Sequence, residues 1–290
     1  MKWWNCFNKK KSVSAYRLIQ AKALHLPSFA FAIHSADDEF ISRDLARDGI
    51  WEPFETQVFG RLCTPGANVL DLGANIGWYT AVASQLVGEQ GSVIAFEPDA
   101  ANYRLLTQNV AQLASGANVA TFNAAVSDQQ GLLPLYQSDT NKGDHRLFSD
   151  SSERATQEVA VTTLDLFFAE HPGPLPDIVK SDTQGSEAKI LRGAAGLLDK
   201  GWRPVMVLEF WPFGLTRSGD DPMSFVETLE SLGYRLFEVS EHKPKLLPLD
   251  AAVLSERMQQ DIQPDNWGFV NLLCVPAGAD SLAHLADLMS

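Results

Sequence analysis

Cysteine is scarce in this chain: Cys6, Cys63 and Cys274 are odd in number, far apart and without a C-x-x-C pair, which argues against a disulfide framework or a zinc site. No stretch approaches the roughly 18 consecutive apolar residues of a transmembrane helix, and the start lacks an apolar signal-peptide core, so a cytoplasmic location is expected. Cations are also in short supply. With 23 Lys and Arg against 36 Asp and Glu, the net charge of −13 disfavours nonspecific nucleic-acid binding, which depends on neutralising phosphates. Internal repeats and low-complexity blocks are absent as well. Residues 1–25 break the acidic trend with six Lys or Arg and no acid, and Trp3 and Trp4 lie among them. Such a start either makes a weak contact with an acidic membrane surface or is a solvated tail. What is left, 290 residues of which 45% are hydrophobic and 20% charged, is enough for one large domain with appendages.

The most informative segment present is Asn68-Val-Leu-Asp-Leu-Gly-Ala-Asn-Ile-Gly-Trp-Tyr-Thr80, followed by Val93-Ile-Ala-Phe-Glu97. It reads as strand, glycine turn, helix, second strand and a closing acid. Gly73 and Gly77 permit a tight turn, and unpaired amides at the following helix start suit a ligand's polar end. Glu97 comes 24 residues after Gly73, near the spacing at which such an acid hydrogen-bonds ribose hydroxyls. A nucleoside ligand is therefore expected. Dinucleotide sites favour G-x-G-x-x-G, whose middle glycine lets a pyrophosphate approach the backbone. Here the pattern is Asp71-x-Gly73-x-x-x-Gly77, so that glycine is missing. An acid on the first strand suits the ammonium and sulfonium of S-adenosylmethionine better than a pyrophosphate. The methyl donor leads over NAD, and an ordinary turn capped by Asp71 is the bland alternative.

Organisation along the chain supports an α/β fold. Residues 51–62 read as a helix leading into the core, and Pro98–Leu113 as an amphipathic helix with Pro98 in its first turn. Strands are expected at 119–122, 178–181, 205–210, 235–239 and 269–275, with helices at about 186–198 and 224–232. Residues 132–137 and 158–163 read as two antiparallel strands around a polar insertion. The expected division is a basic tail and lead-in at 1–49, a domain at 50–276 with an insertion at 138–156, and a tail at 277–290. Alternating strands and helices call for a mostly parallel sheet with helices on both faces.

Ligands of such sheets bind beyond the carboxyl ends of the strands. There the sequence sets Asp71 to Gly73, Glu97, Asn123 to Ala125, Lys180 to Gln184, and Glu209. Asn123 is either an adenine contact or a turn residue. Asp182 either meets a substrate hydroxyl and takes its proton, or caps the helix and pairs with Lys180. In the insertion, His145 is a candidate base with Asp144 beside it, and Arg146 a candidate for an anionic substrate group. Trp51, Trp78, Trp211 and Phe213 are flat rings that either border the crevice or pack the core.

Asp71-Leu-Gly-Ala-Asn-Ile-Gly77, Phe96-Glu-Pro-Asp99, Asn123-Ala-Ala-Val-Ser-Asp128, Lys180-Ser-Asp-Thr-Gln-Gly-Ser-Glu187 and Leu208-Glu-Phe210, in this order, resemble the FkbM family of S-adenosylmethionine-dependent methyltransferases. The resemblance spans about residues 50–240. It implies a class I methyltransferase fold, Rossmann-like, with a seven-stranded mostly parallel sheet whose last strand is antiparallel. It also implies methyl transfer to a hydroxyl of a sugar, glycan or other secondary metabolite. By the same resemblance Asp71, Gly73, Asn75 and Gly77 line the methionine part of the donor, Glu97 its ribose, and Asn123 with Ala125 its adenine. Lys180, Asp182 and Glu187 match the second block, with Ser181 and Ser186 in place of apolar residues. The expected site thus has His145 and Asp182 as catalytic candidates, and Arg146, Lys180, Glu187 and Trp211 on the substrate. A Rossmann dehydrogenase and a nucleoside-binding protein without catalysis are the competing readings.

Overall fold

The computed structural model describes residues 16–35, 38–113, 117–149, 152–263, 268–278 and 280–289. Cys6 and the proposed membrane contact of residues 1–15 therefore lie outside the described residues. An antiparallel hairpin, β1 (Tyr16–Ala21) and β2 (Phe29–His34), comes first, then α1 (Ile41–Asp48) and α2 (Pro53–Leu62). Next are β3 (Asn68–Leu72), α3 (Trp78–Val87), β4 (Ser92–Phe96), α4 (Ala100–Gln112) and β5 (Asn118–Phe122). β6 (Ala125–Val126), β7 (Gly131–Gln137), β8 (Ala155–Thr162) and α5 (Leu164–Glu170) follow. The chain returns through β9 (Ile178–Ser181), α6 (Glu187–Arg192), α7 (Ala195–Asp199), β10 (Val205–Phe210), α8 (Pro212–Ser218) and α9 (Pro222–Ser231). It ends with β11 (Tyr234–Ser240), β12 (Lys245–Leu249), α10 (Ala251–Arg257), β13 (Val270–Pro276) and a 3-10 helix at Asp280–Leu288.

The central sheet has the order β12-β11-β13-β10-β9-β3-β4-β5. β3 pairs in parallel with β4 and β9, whereas β13 runs antiparallel to both β10 and β11, as expected of the last strand. Among the described residues the sheet has eight strands rather than seven. The additional one, β12, contains Pro248 and occupies the edge, where a residue without an N–H leaves no ladder bond unmade. Side-chain alternation on β3 sends Val69 to the layer under α2 and α3 and Leu70 to the opposite layer with Phe96, Leu208 and Phe210. The two strands expected around the insertion are β7 and β8, and they form a separate small sheet with β6.

Two element boundaries are corrected. Pro98 precedes α4 rather than sitting in its first turn, because Asp99 is the N-cap and accepts from the amides of Ala101 and Asn102. The helix expected at 186–198 is split at Gly193, where a Cβ would lie 2.1 Å from the Ser127 carbonyl oxygen. Residues 16–34 are not a bare lead-in: Phe29, Phe31 and Ile33 are buried with Trp78. The Asn109 side chain on α4 ties that hairpin to the core, bonding both backbone groups of Ala32 and the Ile76 carbonyl. Leu285 and Leu288 of the expected C-terminal tail also join the core. Among the described residues no helix is long and apolar enough to cross a membrane.

Candidate active site

The turn after β3 is held by β4. The amides of Gly73 and Ala74 both donate to the Phe96 carbonyl, and the Asn75 amide donates to Glu97 Oε2 at 2.8 Å. Gly73 (φ +76°) is required by contact as well as by angle, since a Cβ would stand 2.0 Å from the Asp182 carbonyl oxygen. Asn75 also takes the left-handed region, at φ +51°. Gly77 caps the start of α3 but does not line the cavities at the strand ends; its φ of +89° is one that side chains with a Cβ rarely adopt.

Beyond β3, β4 and β9 lies a crevice of about 520 Å³, counted to its open mouth and walled by Gly73, Asn75, Glu97, Ala125, His145 and Asp182 among others. Glu97 is only 4% exposed, and burial pushes its carboxyl up to about 8 despite the amides of Asn75 and Asp99, each at 2.8 Å. Each oxygen takes one of these amides, so the carboxyl group retains hydrogen-bonding capacity toward hydroxyls in the crevice. Asp71, 1% exposed, accepts from the Thr80 hydroxyl at 2.5 Å and borders an adjoining recess with Asn75, Lys180 and Asp182. Burial raises its carboxyl to about 6, with the Thr80 bond opposing.

The insertion folds back over this crevice. The Lys142 carbonyl accepts from Asn75 Nδ2 at 3.0 Å and Asn102 Nδ2 at 2.8 Å, and the Thr140 carbonyl accepts from the Glu39 amide. Its two adjacent candidates diverge. His145 lines the first crevice, whereas Arg146 lines a second, wider cavity with Trp51, Glu52, Arg154, Glu209 and Trp211. His145 Nδ1 accepts the Ser138 amide at 3.0 Å, so the neutral ring carries its hydrogen on Nε2, which stands 3.9 Å from Asp99. Burial lowers its pKa. In this arrangement Nδ1 is occupied by the Ser138 amide, and His145 does not line the second cavity.

Arg146 is likewise committed within the protein. It is 1% exposed, donates to both oxygens of Asp144 and stacks with its carbon 4.8 Å from the Trp211 ring centroid, beside Phe148 and Phe213. Trp211 thus presents its ring to a buried guanidinium at the cavity wall. Lys180 is an ion-pair partner, 3.0 Å from Glu55 Oε1 and 4.9 Å from the Tyr79 ring centroid. Burial opposes its charge, but Glu55, Asp182 and Glu52 outweigh that and raise its pKa.

Two other expected contact residues lie outside the walls of these cavities. Glu187 lines none of these cavities; its carboxylate accepts from the Thr183 amide and hydroxyl and from the Gly185 amide, which pins the loop after β9. Asn123 spends its side-chain N–H groups on the Glu97 and Pro98 carbonyls and does not line the crevice, and its φ is not left-handed. Ala125 does line the crevice, and Trp78 is core, bonded to the Thr56 hydroxyl at 2.8 Å.

Asp182 belongs to the first crevice, the recess and the second cavity alike, and Gln184 to both larger spaces. Opposite them stand two acids to which the sequence assigned no role, Glu52 and Glu209. Glu52 bonds the Tyr79 hydroxyl at 2.7 Å and is raised to about 8 by burial and by Glu55, with Lys180 opposing. Glu209 is raised well above the usual range by burial and by Asp182. Glu209 was legible as a strand end; Glu52 was not, because it reaches the site from the start of α2.

The model of the methyltransferase FkbM domain matches residues 71–236. No curated protein matches the chain. Among solved structures, similarity extends to Aeropyrum pernix fibrillarin with natively bound S-adenosyl-L-methionine, at 12% identity over 73% of this chain and 68% of that one, TM-score 0.40. A TehB-like SAM-dependent methyltransferase from Corynebacterium glutamicum is 15% identical over 81% and 93% of the two chains, TM-score 0.40. A precorrin-6y C5,15-methyltransferase from Geobacter metallireducens is 14% identical over 75% and 84%, TM-score 0.39.

Proposed function

The chain belongs to the FkbM methyltransferase family, and from that premise we propose that it methylates a hydroxyl of a sugar, glycan or secondary metabolite, with S-adenosylmethionine as donor. The residues present fit the donor: Glu97 offers a buried carboxylate with acceptor capacity to a ribose, and Asp71 and Asn75 border the adjoining recess where a cationic methionine end is stabilised by nearby negative charge. When bound, the donor supplies a methyl group activated by its sulfonium.

The protein's part is to align an acceptor oxygen and to take up its proton. Asp182 is assigned that proton. The observation that carries the assignment is its place on the wall shared by the donor crevice and the wider cavity. The wider cavity combines Trp51 and the half-exposed Phe269 with Glu52, Glu209 and Gln184, a mixture of flat apolar faces and hydroxyl acceptors that suits a polyhydroxylated ring. The chain's acidity supports a small-molecule or glycan acceptor over a nucleic acid, and a cytoplasmic location is part of the same proposal.

The test is transfer of labelled methyl from S-adenosylmethionine to a panel of methyl glycosides, oligosaccharides, amines and RNA. We expect a base-stable methyl ether on a hydroxyl compound, and a 10²- to 10⁴-fold loss of turnover in Asp182→Asn. Label appearing only on nitrogen or on RNA rejects hydroxyl methylation, and near-normal turnover in the variant rejects Asp182 as the proton acceptor.

A further inference from the structure

Gln184 is one of only four non-glycine residues with positive φ among those described, at +53°, a conformation that a Cβ disfavours. Its surroundings fix it there. Glu187 holds the residues on either side through the amides of Thr183 and Gly185, and Gly185 (φ +97°) packs so close to Gly214 that a Cβ would lie 2.5 Å from that residue's carbonyl carbon. The result of this constrained backbone is a directed side chain. Gln184 Nε2 donates to Asp182 Oδ1 at 2.7 Å and to Glu209 Oε2 at 3.1 Å, which commits both amide hydrogens to carboxyl groups. Lys180 Nζ, meanwhile, stands 4.0 Å from Asp182 Oδ2, too far for a hydrogen bond and close enough to attract it.

We propose that Gln184 is a positioning residue for Asp182: its amide holds the carboxylate at the junction of the two cavities against the pull of Lys180. The inference rests on the reading of Asp182 as the group that receives the acceptor's hydroxyl proton. In that step the O–H bond breaks, the proton joins the Asp182 carboxylate to make a neutral carboxyl, and the electron pair stays on the acceptor oxygen. An Asp182 drawn onto Lys180 leaves the shared wall, and the carboxyl groups that remain on the wider cavity, Glu52 and Glu209, do not border the donor crevice. The strained backbone is thus retained for the direction it gives an amide, which an unstrained loop at the same place does not supply.

Crystal structures of the full chain, ligand-free and soaked with S-adenosylhomocysteine, test this in the wild type, Gln184→Gly and Gln184→Glu, together with melting temperatures and the carbon-13 carboxyl signal of Asp182. Gln184→Gly relieves the left-handed φ, so it is expected to melt at or above the wild-type temperature while Asp182 swings to about 3 Å from Lys180 Nζ and its signal shifts. Gln184→Glu keeps the side-chain length but replaces donors with a like charge, so the same movement is expected with a lower melting temperature. Asp182 unmoved in both variants overturns the proposal, as does a Gln184→Gly protein that melts well below wild type with Asp182 in place, since that is a purely structural residue. Failure of the wild type to bind S-adenosylhomocysteine overturns the donor reading instead, and the ligand-free crystals still decide the position of Asp182.

Discussion

Glu97 is the residue on which the donor reading turns, and its burial has a consequence for stability. Its carboxyl is raised from 4.5 to about 8 and that of Asp71 from 3.8 to about 6. Between those values the folded chain holds protons that the unfolded chain has released, so the stability of the ligand-free protein falls as pH rises. The urea midpoint is expected to decline from about pH 5 to about pH 8, and Glu97→Gln, which cannot ionise, to flatten the decline. A midpoint that rises through that window, or a slope unchanged in the variant, contradicts the assignment. Glu97 was legible because its distance from Gly73 is set by one strand, one helix and one turn. Asn123 and Glu187 show what residue type cannot reveal: one follows a strand and the other opens a helix, and the Asn123 side-chain N–H groups go to backbone carbonyls while the Glu187 carboxylate takes backbone amides. His145 and Arg146 are neighbours in sequence that face different cavities, a separation that appears only once β7 and the returning loop are placed.

At the scale of elements, the insertion is a cover latched by two asparagines. Asn102 Nδ2 donates to the Lys142 carbonyl at 2.8 Å, and its Oδ1 meets His34 Nε2 at 2.8 Å, so one side chain joins the cover, α4 and the hairpin. Asn102→Ala is expected to lower stability by about 1–3 kcal/mol and to speed proteolysis within residues 138–149. Cleavage spread evenly over the chain, or an unaltered rate at that segment, argues against a latch. The strands buried on both faces were readable where turn residues bounded them, as with β9 and β10, whose observed limits match the expected ones. Strand β2 escaped because Phe29-Ala-Phe-Ala-Ile-His34 is buried on nearly every residue and shows no polar alternation. A glycine closed α6 early for a reason outside its own segment, the approach of Ser127.

For the whole molecule, alternation of strands and helices was enough to imply the parallel sheet, and the crevice beyond its carboxyl ends followed from that topology. The wider cavity did not, because its walls come from the segments at the starts of α1 and α2, the insertion, the loop after β9, β10 and the segment before β13, parts widely separated in sequence. The central claim is that the first crevice holds a methionine nucleoside and not a dinucleotide. Isothermal titration of the full chain with S-adenosylhomocysteine and, separately, with NAD tests it most directly. The account predicts saturable binding of S-adenosylhomocysteine, weakened by about 2–4 kcal/mol or roughly 30- to 1,000-fold in Glu97→Ala, and no comparable binding of NAD. Tighter binding of NAD, or the same S-adenosylhomocysteine affinity in wild type and Glu97→Ala, would contradict it.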